Sequence, residues 1–277
     1  MFKRTIMIGI IGQGFVGNAI YQKFKNYFDV YTYDLDESKR TSGETEAMSQ
    51  NIVFVCLPTP MNSDGSCSTE LVEWTIDKIC KLKKCKTIVV KSTVSPGTTA
   101  RWNSNYDIDI VFNPEFLTEA NAVEDFNNQN RIILGGPRPS TTKLRRIYSK
   151  VFPKAHIIKT DSTHAEMVKY LTNSFLATKV SFANEIYQVC EKLNIDYDKV
   201  VEYATLDDRL GKSHWNVPGP DGDFGFGGHC LPKDLSALIY LAMNLDTESN
   251  VLNAVEETND VVRTNRDWEN MKGRAVV

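Results

Sequence analysis

The sequence holds four histidines, no CxxC pair and no apolar run approaching a membrane span, and each shortage excludes something. Histidines at 156, 164, 214 and 229 are too scattered for a metal constellation, so no metal is expected. His164-Ala-Glu166 echoes the HxE of zinc deaminases, but no PCxxC follows, and no Walker A sequence occurs. Six cysteines, at 56, 67, 80, 85, 190 and 230, do not pair as zinc ribbons or thioredoxin motifs do. They are expected to be reduced thiols of a cytoplasmic protein. Lys3-Arg4 followed by IMIGII resembles the start of a signal peptide, but the run is short and the glycines after it have a better explanation. With 32 basic and 35 acidic residues the net charge is −3, so neither nucleic acid nor an acidic membrane is an expected partner. Repeats and low-complexity tracts are absent.

The chain has 277 residues, 42% of them hydrophobic and 24% charged, enough for one large or two modest cores. The first half alternates. Thr5–Ile11, Val30–Tyr33, Ile52–Leu57, Thr87–Val90, Ile108–Phe112 and Arg131–Leu134 are short, nearly continuous apolar runs, as strands covered on both faces read. Phe15–Tyr27, Thr69–Leu82 and Thr141–Val151 have helical spacing between them, so an α/β doubly wound parallel sheet is expected. Beyond a boundary near 155–165 the pattern is helical: Ser162–Leu193, Asp196–Ala204, Leu235–Met243 and Glu248–Met271, interrupted by the Gly/Pro-rich loop Gly211–His229.

Gly12-Gln13-Gly14-Phe15-Val16-Gly17 follows the first predicted strand and opens a helix. Small residues there permit a tight turn, close approach of backbone to a pyrophosphate, and close helix–strand packing, while helix N–H groups meet the anion. Asp34, at the end of the second strand, can hold both ribose hydroxyls and would repel a 2′-phosphate, which favours NAD over NADP. An ordinary glycine turn is the competing reading. Pro58-Thr59-Pro60 and Ser92-Thr93 follow the third and fourth strands, at the edge where such sheets bind ligands. Glu115 and Glu119 follow the fifth strand and could act as bases or hold a water, or be merely solvated. Lys169 and Asn173 share a helix face and could stabilise an oxyanion, or form a polar surface stripe. In Gly225-Phe-Gly-Gly-His-Cys230-Leu-Pro-Lys233-Asp234, Cys230 falls near the N-terminus of a helix with Pro232 in its first turn. The helix dipole and Lys233 favour thiolate, which makes Cys230 a candidate nucleophile against the alternative of a buried structural thiol. His229 beside it is no evidence for a dyad, since sequence neighbours need not face each other.

These patches, in this order, with GQGFVG, LPTP, KSTVSPGT, NPEFLTEANAVEDF, the Lys169/Asn173 helix and GFGGHCLPKD, resemble the nucleotide-sugar 6-dehydrogenases of the UDP-glucose/GDP-mannose dehydrogenase family over about residues 4–277. The resemblance implies a Rossmann-like NAD-binding domain over 1–160, then a helical central domain over 161–277 that dimerises through its long helix. It implies NAD as cofactor, a UDP-sugar or GDP-mannose as substrate, and a four-electron oxidation at C6. Cys230 looks like the nucleophile, Lys169 and Asn173 like oxyanion ligands, and Asp234 like an orienting group for water or Lys169. Glu115 looks like the hydrolytic base and Thr93 like its support. Gly12, Gly14, Phe15, Val16, Gly17, Asp34, Pro58, Thr59, Thr93, Glu119 and Lys233 match cofactor-binding positions. Phe116, Leu117, Lys169, Asn173, Phe226 and Gly227 match substrate positions, and Arg209 an arginine that crosses the dimer interface. NPEFL speaks against the UDP-N-acetylmannosamine enzymes, and Ala120 replaces the usual glycine. Family members continue past a strand like Arg274–Val277 into a third, nucleotide-gripping domain. The expected alternatives are therefore a short enzyme of this kind, truncated or split and completed by a separately encoded C-terminal domain or binding the nucleotide in another way, or a catalytically weak NAD-binding and dimerising module. A tail at Ala275–Val277 without its sheet is expected to be disordered.

Overall fold

The computed structural model describes residues 6–277, so the expectations for Lys3, Arg4 and Thr5 lie outside the described residues. From the N-terminal side run β1 (Met7–Ile11), α1 (Phe15–Phe24), β2 (Asp29–Tyr33), α2 (Glu44–Met48) and β3 (Ile52–Val55). Then come α3 (Glu70–Leu82), β4 (Thr87–Val90), α4 (Thr98–Asn105), β5 (Asp109–Phe112), α5 (Ala122–Asn128), β6 (Arg131–Gly135), α6 (Arg138–Val151) and β7 (His156–Thr160). The seven strands form one sheet in the order β2-β1-β3-β4-β5-β6-β7. In register, Ile8 lies between Val30 and Ile52. All neighbours run parallel except β5 and β6, which meet antiparallel at Phe112 and Gly135. This join departs from the all-parallel expectation: after β5 the chain packs α5 against α1 and re-enters the sheet from the edge it had left.

Side-chain parity explains the unbroken apolar runs. Ile8, Ile10, Phe54 and Val89 enter one core with Phe24 of α1 and Tyr148 of α6. Their neighbours Ile11, Val53, Val55, Ile88 and Val90 enter another with Ile76 of α3 and Trp102 of α4. β1, β3 and β4 are therefore buried on both faces, and alternation disappears. Gly9 has no choice of side chain, because a Cβ there would stand 1.9 Å from the carbonyl oxygen of Ala47 in α2.

The helical half comprises α7 (Ser162–Leu193), α8 (Tyr197–Ala204), α9 (Leu231–Asn244) and α10 (Asn250–Val262). The chain divides into two compact units, 1–59 with 69–169, and 60–68 with 170–277, so the division falls inside α7 and segment 60–68 joins the second unit. The sequence boundary did not foresee that excursion. Within the second unit, Phe226, Leu235 and Val255 pack on Ala177. A second cluster gathers Ala183, Cys190, Tyr197 and Val217.

Two expectations are corrected here. The helix expected over Glu248–Met271 stops at Val262, because Arg263 turns extended and its Nε donates to the carbonyl of Asn265 at 2.7 Å; a short 3₁₀ turn follows at Asp267–Asn270. The tail is ordered, not loose. Met61 N–H donates to the Ala275 carbonyl at 2.8 Å, and Val277 N–H donates to the Met61 carbonyl at 3.0 Å. Ala275 is buried, so segment 60–68 supplies the backbone partners a sheet would otherwise give.

Candidate active site

In the first unit the chain reverses direction across the sheet between β1 and β3, which opens a crevice at the carboxyl ends of those strands. Gly12 sits there at φ +90°, and a Cβ on it would lie 2.4 Å from the Cys56 carbonyl oxygen. A Cβ on Gly17 would lie 1.9 Å from the Gly12 carbonyl oxygen, so α1 can start this close only with glycine. Gly14 is different: it is the N-cap of α1, exposed, with no atom near its Cβ position and no side chain capping the helix. A helix N-terminus of this kind, with its N–H groups and positive dipole end, suits an anion. Asp34 Oδ2 accepts from Gln13 N–H at 2.6 Å and Oδ1 from Asp36 N–H at 2.9 Å, which places the carboxylate beside the glycine turn. Tight glycines, a helix N-terminus without a side-chain cap and an adjacent acid fit a dinucleotide. Phe15 and Glu119 line an open cleft of about 350 Å³ together with Asn18 and Ala120. Val16 packs against the core that holds Phe24. Behind Pro58, the Thr59 hydroxyl donates to the Thr93 carbonyl at 2.7 Å, and Leu57 N–H donates to Ser92 Oγ at 3.1 Å, stitching the two loops at the sheet edge.

The loop after β5 carries a buried charge cluster. Glu115 and Lys169 are 8% and 3% exposed, and Lys169 Nζ donates to Glu115 Oε1 at 2.9 Å and to the Glu115 carbonyl at 2.7 Å. Leu117 N–H donates to Glu115 Oε2 at 2.8 Å. Burial opposes the charge on Glu115, but Lys169, the Leu117 N–H and Lys91 outweigh it and hold the carboxyl below its ordinary range. Glu115 is thus no solvated loop acid, whereas Glu119 is exposed at the cleft. Phe116 lies under the Arg131 guanidinium, 4.0 Å from ring centroid, with Lys169 Nζ at 5.6 Å. Lys91, which the sequence reading gave no role, is buried; its Nζ donates to Asn113 Oδ1 at 3.1 Å and to the Pro114 carbonyl at 3.3 Å. Burial lowers its pKa to about 8. Its one sequence signal is a lysine set directly on the apolar run Thr87–Val90.

In the second unit Cys230 is the N-cap residue of α9, half-buried, and its carbonyl accepts the first helical N–H, from Asp234 at 3.1 Å. Asp234 is buried; it takes Asn173 Nδ2 at 2.6 Å on Oδ2 and the Lys233 ammonium on Oδ1. Burial works against the Lys233 charge, yet Asp234, then Cys67 and Cys230, raise its pKa above the usual lysine value. Lys233 therefore sits as a buried cation beside two thiols, one of which, Cys67, the sequence reading passed over. Asn259 of α10 clamps Phe226, accepting its N–H at 2.7 Å and donating to its carbonyl at 3.0 Å. A Cβ on Gly227 would lie 2.2 Å from Arg263 Nη2. Arg209 lies exposed on a 3₁₀ turn, paired with Asp207. Neither Asn259 nor Arg263 was legible as a site residue, since the loop groups each holds, Phe226 and Asp221, lie more than thirty positions away.

Family models match both halves. One described as the NAD binding domain of the UDP-glucose/GDP-mannose dehydrogenase family covers residues 37–152, and one for the central domain of the same family covers residues 163–261. The chain is 35% identical over 275 residues to a UDP-glucose 6-dehydrogenase of Rickettsia bellii, covering 93% of this chain and 62% of that protein. It is 34% identical to UDP-glucose 6-dehydrogenase TuaD of Bacillus subtilis, covering 86% of this chain and 51% of that one. It thus spans between half and two-thirds of these relatives' length. A solved UDP-glucose dehydrogenase from Pyrobaculum islandicum superposes with a TM-score of 0.83 at 29% identity, covering 94% of this chain and 70% of that chain. The glycine turn with its acid, the buried Glu115–Lys169 pair and the Cys230 loop thus stand in a chain that belongs to the UDP-glucose/GDP-mannose dehydrogenase family, through its NAD-binding and central domains.

Proposed function

We propose that the chain performs the NAD⁺-dependent oxidation of the C6 alcohol of a UDP-sugar, UDP-glucose, to the carboxylate, with the substrate held as a covalent adduct of Cys230. The observation that carries this reading is a cysteine at the N-cap of α9 next to a buried Lys233–Asp234–Asn173 network. The Gly12–Gly17 turn and Asp34 would hold NAD⁺, and two such molecules in succession would supply the hydride acceptor for the two oxidations at C6. The Cys230 thiolate adds to the C6 aldehyde to give a thiohemiacetal, and after the second oxidation a thioester remains for water to hydrolyse. Lys169 and Asn173 stabilise the oxyanions, and Asp234 orients Asn173. Glu115, ionised beside Lys169, takes the proton of the attacking water, with Thr93 supporting that water. The tether keeps the aldehyde from escaping and presents it at an effective molarity up to roughly 10⁵–10⁸ M.

The exposed residues Leu171, Phe175, Phe182 and Val189 fall on α7 at spacings of four and seven, an apolar stripe that suits a second copy of the chain. A homodimer through this helix would also bring Arg209 to the partner's sugar site, and a separately encoded nucleotide-gripping domain would complete substrate binding.

Incubation with UDP-glucose and NAD⁺ should yield two NADH per sugar, alone or with a supplied C-terminal domain. Two NADH from GDP-mannose and none from UDP-glucose would move the substrate assignment to that sugar. No NADH in any arm would leave an NAD-binding, dimerising module. Cys230→Ser should stall after one oxidation or abolish turnover; uronate formed at the parent rate would remove the nucleophile assignment.

A further inference from the structure

Asn259 of α10 and Arg263, the residue at which that helix ends, grip the loop that leads to Cys230. Asn259 holds both backbone groups of Phe226. Arg263 is more unusual: a guanidinium 1% exposed, deep under a loop that itself carries acids. Its Nη2 donates to Asp221 at 2.8 Å and to Asp267 at 3.0 Å, with Asp223 at 3.8 Å, and its Nη1 donates to the Phe224 carbonyl at 3.3 Å. Asp267 in turn accepts the N–H of Gly228 at 3.0 Å. Such a buried cation is stable only because carboxylates surround it and its planar fork fills the fixed positions they define. The loop has been shaped around it: Gly225 and Gly228 take φ of +68° and +71°, and Gly227 has no room for a Cβ against the guanidinium.

The thiol follows two residues after Gly228, at the helix end that favours a thiolate. We propose that Arg263 is a positioning residue of the Cys230 thiol: by binding Asp221, Phe224 and, through Asp267, Gly228, it sets where the Gly219–Cys230 loop delivers the sulfur to the α9 N-terminus. This deepens, and rests on, the reading of Cys230 as the reacting group. Lysine should replace it poorly, since these bonds leave from three separate nitrogens, Nη2, Nη1 and Nε, where an ammonium has one.

The test compares the full chain with Arg263→Lys, Arg263→Met and Asp267→Asn, each first checked for a cooperative melt. Iodoacetamide labelling followed by peptide mass mapping gives the alkylation rate of Cys230, with Cys67 as internal control, and needs no sugar substrate. In folded Arg263→Lys and Arg263→Met Cys230 labelling should slow about tenfold while Cys67 changes little. In the enzymatic assay kcat should fall up to about 10²-fold with KM for NAD⁺ unchanged. Asp267→Asn, which keeps the guanidinium and the side-chain shape, should fall between the parent and Arg263→Met. Cys230 labelled at the parent rate, or faster, in folded Arg263→Lys and Asp267→Asn overturns the proposal. Slowed labelling in a chain whose parent oxidises no nucleotide sugar would uphold the positioning role and sink the enzymatic reading instead.

Discussion

Asp34 accepts a backbone N–H from the glycine turn through one oxygen and from Asp36 through the other, so its carboxylate is oriented before any ligand arrives. Removing it in Asp34→Ala should weaken NAD⁺ binding by roughly ten- to a hundredfold, read by titration calorimetry, as expected for hydrogen bonds to a charged group. Glu115 is held below its ordinary value of 4.5. The stability its ionised form contributes is therefore complete above that ordinary value and is lost as pH falls through the depressed one. Glu115→Gln leaves Lys169 buried without its carboxylate and should cost about 3 kcal/mol at neutral pH. Urea unfolding at stepped pH should show that difference shrinking below about pH 4. Of the site, the parts legible in the sequence were those whose chemistry depends on neighbours in the chain: the glycine turn and the Cys230 loop. Lys91, Arg263 and Asn259 were not, because the loop groups they hold lie at distant positions and nothing local marks a buried cation or amide.

Strands β3 to β6 were legible because two cores cover the sheet and leave unbroken apolar runs. β7 was not, since His156–Thr160 is largely exposed and carries a histidine and a lysine. α2 and α5 are five and seven residues long, too short to show a helical period. α4 escaped for another reason: TTARWNSN is polar, and only Thr99 and Trp102 are buried. What holds its start is a side chain from α7, for Glu166 accepts the N–H of Gly97 at 2.7 Å and of Thr99 at 2.8 Å. No residue near α4 signals that cap. Glu166→Ala should cost about 2 kcal/mol by urea denaturation, by leaving buried N–H groups unmet. Amide exchange at Gly97 and Thr99 should speed up while β1 is unaffected.

Over the whole chain, the apolar stripe of α7 predicts an oligomer. Phe175 is 60% exposed, and Phe175→Glu should turn a dimer into a monomer by sedimentation velocity with NAD⁺ affinity retained. Parent chain that sediments as a monomer at tens of micromolar would remove that expectation. Among the described residues no helix is long and apolar enough to cross a membrane. The polypeptide passes between its two compact units at 59/60, 68/69 and 169/170. A protease nicking the backbone once, inside α7, would therefore release a front fragment that still owns Met61, while the rear fragment owns the Ala275 and Val277 groups bonded to it. Severed halves should co-elute as a complemented pair, and a front half engineered without residues 60–68 should lose that reunion.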